Sequence, residues 1–365
     1  MDRQLPHYVR DQQMQCWQRA IARVRAGTGR ARLLVLGDST NCGAGAGLGG
    51  MCRLHGAYAN GWPQLLARLA APLVPFSANS LVGTQGVTEV APELYDPRVA
   101  PGAGWAAASN TGTVGGGLWG FTGSTASAFA FTPTGAFDTL TIRYAQQPRL
   151  GSFTVTLDGG PPLGSVATSG VPAYKAVTYR VPPGAGTVNI LPRADGRLFI
   201  GAIEASNSAV PAADVLQGAW FGARAQNFSN AGTPWAPLNA IPLFAPDLTV
   251  INLTINDSNK STAPGEYQLQ MQQIISAARQ TGDVLLMVGA PSKTAQALDG
   301  TLDSFIAIIN LLALTNGCPV LDLKQRWGGY AEAQAAFPYC DSLHPGALAY
   351  QDVARAIYEI LSGEA

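Results

Sequence analysis

Apolar runs of strand length alternate with longer amphipathic patterns in both terminal parts of the chain. The runs are β-branched or aliphatic and have the length of buried parallel strands; they predict strands over 32–36, 246–253, 284–288 and 319–323. Apolar residues at helical spacing predict helices over 266–281, 305–312 and 347–361. Helices that alternate with apolar strands are typical of a parallel sheet, so these parts are predicted to form a doubly wound, flavodoxin-like α/β core.

The middle of the chain has a different pattern. From about 102 to 207, polar and apolar residues alternate with a period of two, and turns rich in Gly and Pro separate the strands predicted over 128–131, 139–144, 152–157, 176–181 and 197–200. This pattern predicts an antiparallel β-sandwich of jelly-roll type. We therefore expect a core formed by 1–90 and 211–365, with the sandwich inserted as 91–210.

A serine follows the first predicted strand directly, in the sequence Gly37-Asp38-Ser39. Open α/β sheets bind their ligands at the carboxyl ends of the strands, which is where Ser39 is expected to lie. A serine hydroxyl is a weak nucleophile at neutral pH and requires a neighbouring base. Taken alone, Gly-Asp-Ser is also a common turn sequence, so the interpretation depends on a partner for Ser39.

That partner is predicted just before the last helix, in Asp341-Ser342-Leu343-His344-Pro345. The chain has three histidines, and His7 and His55 lie in polar segments punctuated by Gly or Pro, which leaves His344 as the candidate base. Three residues separate Asp341 from His344, so one turn can place the carboxylate beside the imidazole and hold its tautomer. The alternative is a histidine that merely belongs to a helix cap.

A third polar segment, Thr254-Ile255-Asn256-Asp257, follows the strand predicted over 246–253. The amide of Asn256 can donate to the oxyanion that forms when a serine attacks an acyl carbonyl. Asn256 could instead form an Asx-turn that only ends the strand. The order Ser, Asn, Asp, His favours the catalytic interpretation.

These three segments resemble the blocks of the SGNH/GDSL hydrolase family. The resemblance implies an SGNH fold, a Ser39, His344 and Asp341 triad, and an oxyanion hole formed by the Ser39 backbone, Asn256 and a backbone N–H from a second block. Thr254 stands where the family has glycine, which is expected to narrow the site.

Two segments compete for the second block. Residues 216–223 resemble its Asn-x-Gly-x-x-Gly pattern and would supply the backbone N–H of Ala219. Residues 81–86 keep their glycines, with Gly83 as the donor, but they lie far upstream of the strand that carries Asn256. Ala219 is the preferred donor, because a main-chain N–H does not require glycine when φ and ψ are allowed.

The resemblance extends in its architecture to carbohydrate and peptidoglycan O-acetylesterases that carry an added β-sandwich. It implies a serine esterase that removes short acyl groups, acetate first, from a small ester or an O-acetylated glycan. Asp38, Trp220 and Phe221 are the candidate substrate-binding residues. The sandwich would bind glycan through exposed aromatics, for which the candidates are Trp105, Trp119, Tyr174 and Tyr179, although a core or edge position is the stronger expectation for any single one of them. The alternatives are a lipase, thioesterase or arylesterase with a longer acyl pocket, and an inactive glycan-binding module.

The composition excludes other partners. A net charge of zero with 13% charged residues lacks the basic footprint of nucleic-acid binding. No apolar run reaches the length of a membrane span. Residues 1–26 lack the apolar core of a secretory signal, so action outside the cell would require a removed leader or another export route.

No cofactor or metal is expected from the cysteines or the glycines. The five cysteines have no metal-ligand spacing, and free thiols are preferred over a disulfide between Cys42 and Cys52. Cys42 and Cys340 lie near the catalytic segments but are discounted as nucleophiles. The glycine-rich run over 43–50 lacks a following Gly-Lys-Ser/Thr, so we expect a mobile rim of the active site and no nucleotide.

Overall fold

The structure, a computed structural model, describes residues 14–49, 51–69, 74–108, 112–125, 127–293 and 301–363. The interpretation of His7 and that of the first part of the segment 1–26 fall outside these residues. Among the described helices, none is both long enough and apolar enough to cross a bilayer.

The strands of the described residues, in chain order, are β1 (Ala31–Gly37), β2 (Phe76–Ser77), β3 (Leu81–Val82), β4 (Val99–Pro101), β5 (Trp105–Ala107), β6 (Trp119–Phe121), β7 (Phe129–Phe131), β8 (Phe137–Gln146), β9 (Ser152–Leu157), β10 (Pro162–Ala167), β11 (Ala173–Gly184), β12 (Val188–Pro192), β13 (Leu198–Ser206), β14 (Ala213–Gln217), β15 (Leu248–Asn252), β16 (Asp283–Val288) and β17 (Val320–Asp322).

The helices are α1 (Gln15–Arg25), α2 (Ala57–Asn60), α3 (Trp62–Leu66), α4 (Pro92–Tyr95), α5 (Ala225–Phe228), α6 (Pro237–Ala240), α7 (Ile255–Asn259), α8 (Pro264–Ala278), α9 (Thr301–Asn316), α10 (Leu323–Trp327), α11 (Tyr330–Ala336) and α12 (Ala347–Ser362), with short 3₁₀ turns at Met51–Arg53 and Ile241–Phe244.

The core is a six-stranded parallel sheet in the order β17-β16-β15-β1-β14-β2. Alternate residues of β1 face opposite sides of the sheet: Leu34 and Leu36 pack with residues of α8 and α9, whereas Leu33 and Val35 pack with residues of α1 and α12. Helices therefore cover both faces, as the alternating pattern predicts. The chain adds β14 on one side of β1 and β15 on the other, which creates the crevice where open α/β sheets bind ligands.

The remaining strands form two antiparallel sheets, in the orders β10-β9-β12-β7-β4 and β11-β8-β13-β6-β5, with β3 paired to β13. Side chains from both sheets share one hydrophobic cluster, exemplified by Phe153 and Ile190 from the first sheet and Leu140 and Ile200 from the second. The five strands predicted for this region correspond to β7, β8, β9, β11 and β13. The predicted strands do not include β4, β5, β6, β10 and β12. β4, β5 and β6 have only three residues each, which is too few to show a periodicity.

The parallel core and the antiparallel sheets are joined by a buried ion cluster. Glu204 on β13 accepts hydrogen bonds from Arg32 on β1 and from Arg143 on β8. Only 8% of the Glu204 side chain is exposed. Burial raises the pKa of Glu204, but the two guanidinium groups outweigh this effect and hold the pKa below its usual value. The carboxylate thus neutralises two cations that belong to different sheets.

Glu204→Gln should destabilise the protein by about 3–5 kcal/mol, since removing one partner of a buried ion pair leaves uncompensated charge in the interior. Chemical denaturation measures this as a lower free energy of unfolding. The exposed pair between Asp303 and Lys324 supplies the matched control, because Asp303→Asn should change stability by no more than about 1 kcal/mol. Equal effects of the two substitutions would contradict the bridging role of Glu204.

Candidate active site

Ser39 lies in a tight turn directly after β1. A Cβ atom on Gly37 would lie 2.4 Å from Oδ1 of Asn41, so the turn requires glycine at that position. Asp38 fixes the turn, since its Oδ1 accepts hydrogen bonds from the Thr40 backbone N–H (2.9 Å) and the Thr40 hydroxyl (2.7 Å). The turn presents the Ser39 side chain at the carboxyl end of the sheet.

The prediction that Asp38 binds substrate is wrong. None of its surface is exposed, and its Oδ1 is occupied within its own turn. Burial raises the pKa of the Asp38 carboxyl group, while the hydrogen bonds from Thr40 act in the opposite direction. Asp38 therefore shapes the turn that carries Ser39 and does not contact a ligand.

His344 lies in a closed loop before α12. Backbone hydrogen bonds from Cys340 to His344 (3.0 Å) and from Gly346 to Pro338 (2.8 Å) tie the two ends of this loop together. Oδ1 of Asp341 accepts hydrogen bonds from the backbone N–H groups of Leu343 and His344, both at 2.7 Å. These contacts fix the orientation of the carboxylate, whose other oxygen, Oδ2, contacts the imidazole.

The structure brings Ser39, His344 and Asp341 together in one hydrogen-bonded chain. Ser39 Oγ lies 2.8 Å from His344 Nε2, across 305 residues of sequence. On the other side of the ring, His344 Nδ1 lies 2.8 Å from Asp341 Oδ2. Ser39 is 8% exposed and the His344 side chain 13%, so both are largely buried but still reach the surface. The arrangement can move a proton from the hydroxyl to the imidazole.

The histidine and the aspartate shift each other's pKa. Burial alone would lower the pKa of His344, but its hydrogen bond to Asp341, its contact with Cys340 and the aspartate charge raise the pKa to about 9. Burial likewise raises the pKa of Asp341, but the hydrogen bonds from His344 and Cys52 outweigh burial and hold that pKa well below its usual range. Each group stabilises the charged form of the other.

Cys52 is a member of this site that the sequence pattern does not reveal. Its thiol donates a hydrogen bond to Asp341 Oδ2 at 3.0 Å. Burial and the neighbouring Asp341 raise the pKa of the Cys52 thiol to about 12, so it is a donor at neutral pH. Asp341 Oδ2 thus accepts from both His344 and Cys52. All five cysteines are free thiols, in agreement with the preferred prediction.

Neither Ala219 nor Gly83 is positioned to donate to a substrate oxygen. Ala219 has no exposed surface, and an N–H without accessible surface cannot meet a ligand atom. The Gly83 N–H already donates to the Gly201 carbonyl at 2.8 Å. Both predictions fail because sequence spacing does not show which amide of a loop faces the cleft.

Gly222 has the properties that Ala219 lacks. It is exposed, its φ is +73°, and no heavy atom of the described residues lies within 4 Å of where a Cβ would be. Asn256 Nδ2 donates to the carbonyl of the next residue, Ala223, at 3.0 Å. The side-chain amide of Asn256, which is predicted to donate to the oxyanion, is therefore hydrogen-bonded to the loop that contains Gly222.

Thr254 and Asp257 hold this region in place. Thr254 is buried, and its hydroxyl accepts a hydrogen bond from Gly289 N–H at 3.0 Å. It therefore tightens the backbone after β15, and the expectation that it narrows the site is wrong. Asp257 Oδ2 accepts from Ala225 N–H at 2.8 Å, at the start of α5. Burial raises the pKa of Asp257 to about 6.

The predicted aromatic residues divide into two groups. Trp220 and Phe221 are half-buried beside the loop of Gly222. Trp220 packs on Phe228 with 4.1 Å between ring centroids and lines an open groove of about 420 Å³ together with Gln226, Asn227 and Asn230. Of these two residues, only Trp220 lines the groove.

The aromatics predicted to bind glycan on the antiparallel sheets are packing residues. Trp105, Trp119 and Tyr174 are each less than 10% exposed, and Tyr179 is half-buried against the same cluster as Trp105. Trp119 also donates its indole N–H to the Gly83 carbonyl at 3.0 Å. Trp105, Trp119 and Tyr174 therefore offer no stacking face for a sugar, whereas Tyr179 is only partly buried.

The first part of the glycine-rich run after Ser39 is packed, whereas Leu48 and Gly49 are exposed. Residues 41–47 are buried. A Cβ on Gly45 would lie 2.5 Å from the Pro345 carbonyl, and its φ of +91° is one that other residues rarely adopt. Gly45 lets this loop approach the loop of His344 closely, so the prediction of a mobile rim does not hold for residues 43–47.

Comparison with known proteins identifies the family that this chain resembles. Residues 193–351 match the model of the GDSL-like Lipase/Acylhydrolase family, and the predicted resemblance to SGNH/GDSL hydrolases is confirmed. The matched region contains Asn256, Asp341 and His344, whereas Ser39 lies upstream of it. The sequence has no match among curated proteins. The family match supports an ester hydrolase.

One solved structure shares the fold at low sequence identity, and two others show a weaker similarity. A peptidoglycan O-acetylesterase structure aligns over 95% of this chain and 96% of its own, with a TM-score of 0.69 and 15% identity. A carbohydrate esterase family 2 enzyme with a carbohydrate-binding domain from Corynascus thermopiles (Myceliophthora fergusii) has a TM-score of 0.33 and 17% identity, over 73% of this chain and 97% of its own. A family two carbohydrate esterase from Cellvibrio japonicus has a TM-score of 0.30 and 13% identity, over 78% and 98%.

The pKa of His344 tests the coupling to Asp341. In Asp341→Asn the carboxylate charge is lost while the side-chain shape is kept, so we expect the pKa to fall from about 9 in the wild type. An NMR titration of the imidazole protons measures it, with His344→Ala to identify the signal. The neutral ring should then form at lower pH in the variant than in the wild type. An unchanged pKa would show that Asp341 does not set the charge of His344.

Proposed function

We propose that this protein is a serine esterase that hydrolyses esters of short acyl groups on a carbohydrate, with acetyl as the preferred acyl group. The observation that carries the proposal is the hydrogen-bonded chain from Ser39 through His344 to Asp341, with 2.8 Å at each step. Such a chain allows a hydroxyl to attack a carbonyl while a base takes its proton. The family match supports the same class of reaction.

In the proposed reaction, the imidazole of His344 starts in its neutral form, and Ser39 Oγ attacks the ester carbonyl as His344 Nε2 accepts the hydroxyl proton. Asp341 holds the Nδ1–H tautomer and stabilises the imidazolium. His344 then gives its proton to the leaving alcohol, which departs as the acyl-serine forms. A water molecule that loses its proton to His344 attacks the acyl group, releases the acid and restores Ser39.

For the oxyanion, we propose three donors: the backbone N–H of Ser39, the Asn256 amide and the backbone N–H of Gly222. An asparagine amide has two donor hydrogens. The hydrogen bond to the Ala223 carbonyl uses one of them and fixes the orientation of the other. Gly222 replaces Ala219 in this role because it is exposed where Ala219 is buried. Loss of one such donor costs about 100- to 1000-fold in rate elsewhere.

The choice of a carbohydrate ester rests on the groove that Trp220 lines beside the loop of Gly222. Trp220 offers a partly exposed indole ring, and Gln226, Asn227 and Asn230 offer amide donors and acceptors along the same groove. Sugars present apolar ring faces and hydroxyl edges, which such a set of side chains can match. The full-length similarity in fold to a peptidoglycan O-acetylesterase supports this substrate class.

The antiparallel sheets are proposed to be an inserted β-sandwich, close to the expected segment 91–210, that supports the wall of the site. The backbone N–H of Phe221 donates to the Gln85 carbonyl at 3.0 Å, just after β3 pairs with β13. Gln85 also accepts a hydrogen bond from Tyr95 at 2.6 Å. Gln85, which precedes the segment 91–210, therefore links the Trp220-Phe221 segment to β3 and through β13 to the sandwich, whose own aromatics are not needed for binding.

The proposal is tested by the release of acetate from O-acetylated polysaccharides and from p-nitrophenyl acetate. Wild-type protein should hydrolyse both, and p-nitrophenyl esters of long acyl chains more slowly. Ser39→Ala should lose at least about 1000-fold in rate, as serine hydrolases do without their nucleophile, with an unchanged unfolding curve. Faster turnover of long acyl chains would favour a lipase or thioesterase. No turnover of any ester would leave the glycan-binding alternative.

In the same assay, Trp220→Ala separates a carbohydrate substrate from other esters. It should raise KM for the polysaccharide and leave hydrolysis of p-nitrophenyl acetate close to wild type, because a small ester does not need the remote contact. Trp119→Phe, which removes a hydrogen bond within the antiparallel sheets, is the matched aromatic control. Equal losses on both substrates after Trp220→Ala would contradict the glycan groove.

A further inference from the structure

Four side chains that can bind a metal, one of them His344 itself, lie close together on the side of the imidazole that faces Asp341. One ligand atom from each of Cys52, Cys340, Asp341 and His344 lies within 4.8 Å of the other three. Three of these residues come from the closed loop before α12, and Cys52 comes from the segment after the glycine-rich run. We propose that this cluster is a zinc site whose occupancy inhibits the enzyme.

The packing of the two loops brings the two thiols together. Gly45 N–H donates to the Cys52 carbonyl at 2.7 Å, while a Cβ on Gly45 would lie 3.2 Å from Cys340 Sγ. Gly45 therefore lies between the two cysteines and leaves space for their side chains. Sequence spacing could not show this, because Cys52 and Cys340 are far apart along the chain.

The dimensions of the cluster fit a tetrahedral ion. With zinc bonds of about 2.0–2.3 Å, neighbouring ligand atoms of a tetrahedral site lie about 3.3–3.8 Å apart. The separations between Asp341 Oδ2 and His344 Nδ1, 2.8 Å, and between Cys52 Sγ and Asp341 Oδ2, 3.0 Å, lie slightly below this range. The largest separation allowed between any two of the four ligand atoms, 4.8 Å, lies above the tetrahedral range. Small displacements of the side chains would therefore form the site.

The donor set selects a thiophilic metal. Two thiols, one imidazole and one carboxylate favour zinc over calcium or magnesium, which prefer oxygen ligands. Binding replaces the thiol protons of Cys52 and Cys340, which are released to solvent, and forms two zinc–sulfur bonds without a change of oxidation state. Because protons compete with the metal, binding should weaken as the pH falls.

Inhibition follows from the ring nitrogen that the metal would use. Zinc bound at His344 Nδ1 displaces the proton from that nitrogen, and a neutral ring then carries its proton on Nε2. A protonated Nε2 donates to Ser39 Oγ and cannot accept its proton. Because the same ion would bind Asp341 Oδ2, the hydrogen bond between this oxygen and His344 Nδ1 would be lost.

The first experiment measures binding without any assay of activity. Cobalt(II) replaces zinc and gives a sulfur-to-metal charge-transfer absorption when thiolates bind it. The reduced wild-type protein should show this band at one equivalent of cobalt, and Cys340→Ser should lose most of it. Cys16→Ser is the matched control, because Cys16 lies on α1 and its thiol accepts a hydrogen bond from Arg19. Absence of the band in the wild type would overturn the proposal, whether or not the protein is an esterase.

The second experiment measures inhibition of p-nitrophenyl acetate hydrolysis by zinc chloride, with each variant normalised to its own metal-free rate. Cys340→Ser and Cys52→Ser should each raise the half-inhibitory zinc concentration by about tenfold or more, since even an outer-shell partner contributes that much to metal affinity. A chelator should restore the wild-type rate. Equal zinc sensitivity of the wild type and both variants would place the ion on Nε2 of His344 and overturn the proposal.

Discussion

The pairing of β1 with β14 on one side and β15 on the other is the constraint on which the site depends. All three strands run parallel, so their carboxyl ends meet at one edge. The pairing continues beyond the strands, because the Trp220 N–H donates to the Gly37 carbonyl at 3.1 Å. The loop of Gly222 and the amide of Asn256 are thereby brought to the edge where Ser39 lies. The loop of His344 reaches the same edge, although 305 residues of sequence separate Ser39 from His344.

Buried polar groups fix the register at that edge. Asn252, at the end of β15, donates to Asn41 Oδ1 at 2.9 Å, and Gln217, at the end of β14, donates to the Asn41 carbonyl. A buried polar group left without a partner costs about 1–3 kcal/mol, so sliding either strand would be penalised. Asn41 therefore links the three strands, and this explains why Gly37 must leave space for its side chain.

The sequence predicted the main framework because its signals are local. The strand before Ser39, the helix after His344 and the alternation of the antiparallel strands can each be recognised within a short window, and the structure contains all of them. The scarcity of histidine pointed to His344, which lies within hydrogen-bond distance of both Ser39 and Asp341.

The failures share a different cause. Ala219 and Asp38 lie in the correct segments, but only the folded backbone shows that both are buried. Cys52 has no local signal, since its contact with Asp341 spans 289 residues. Trp105 and Trp119 are of a residue type that stacks on sugars, but tertiary packing places both in the hydrophobic core.

Covalent labelling with a fluorophosphonate tests the central claim most directly. This reagent forms a phosphorus–oxygen bond with an activated serine as fluoride leaves. Mass spectrometry of the digested wild-type protein should find one adduct, on Ser39, and His344→Ala should show almost none. An adduct on another residue, or unchanged labelling of Ser39 in His344→Ala, would contradict the account of Ser39 as a nucleophile activated by His344.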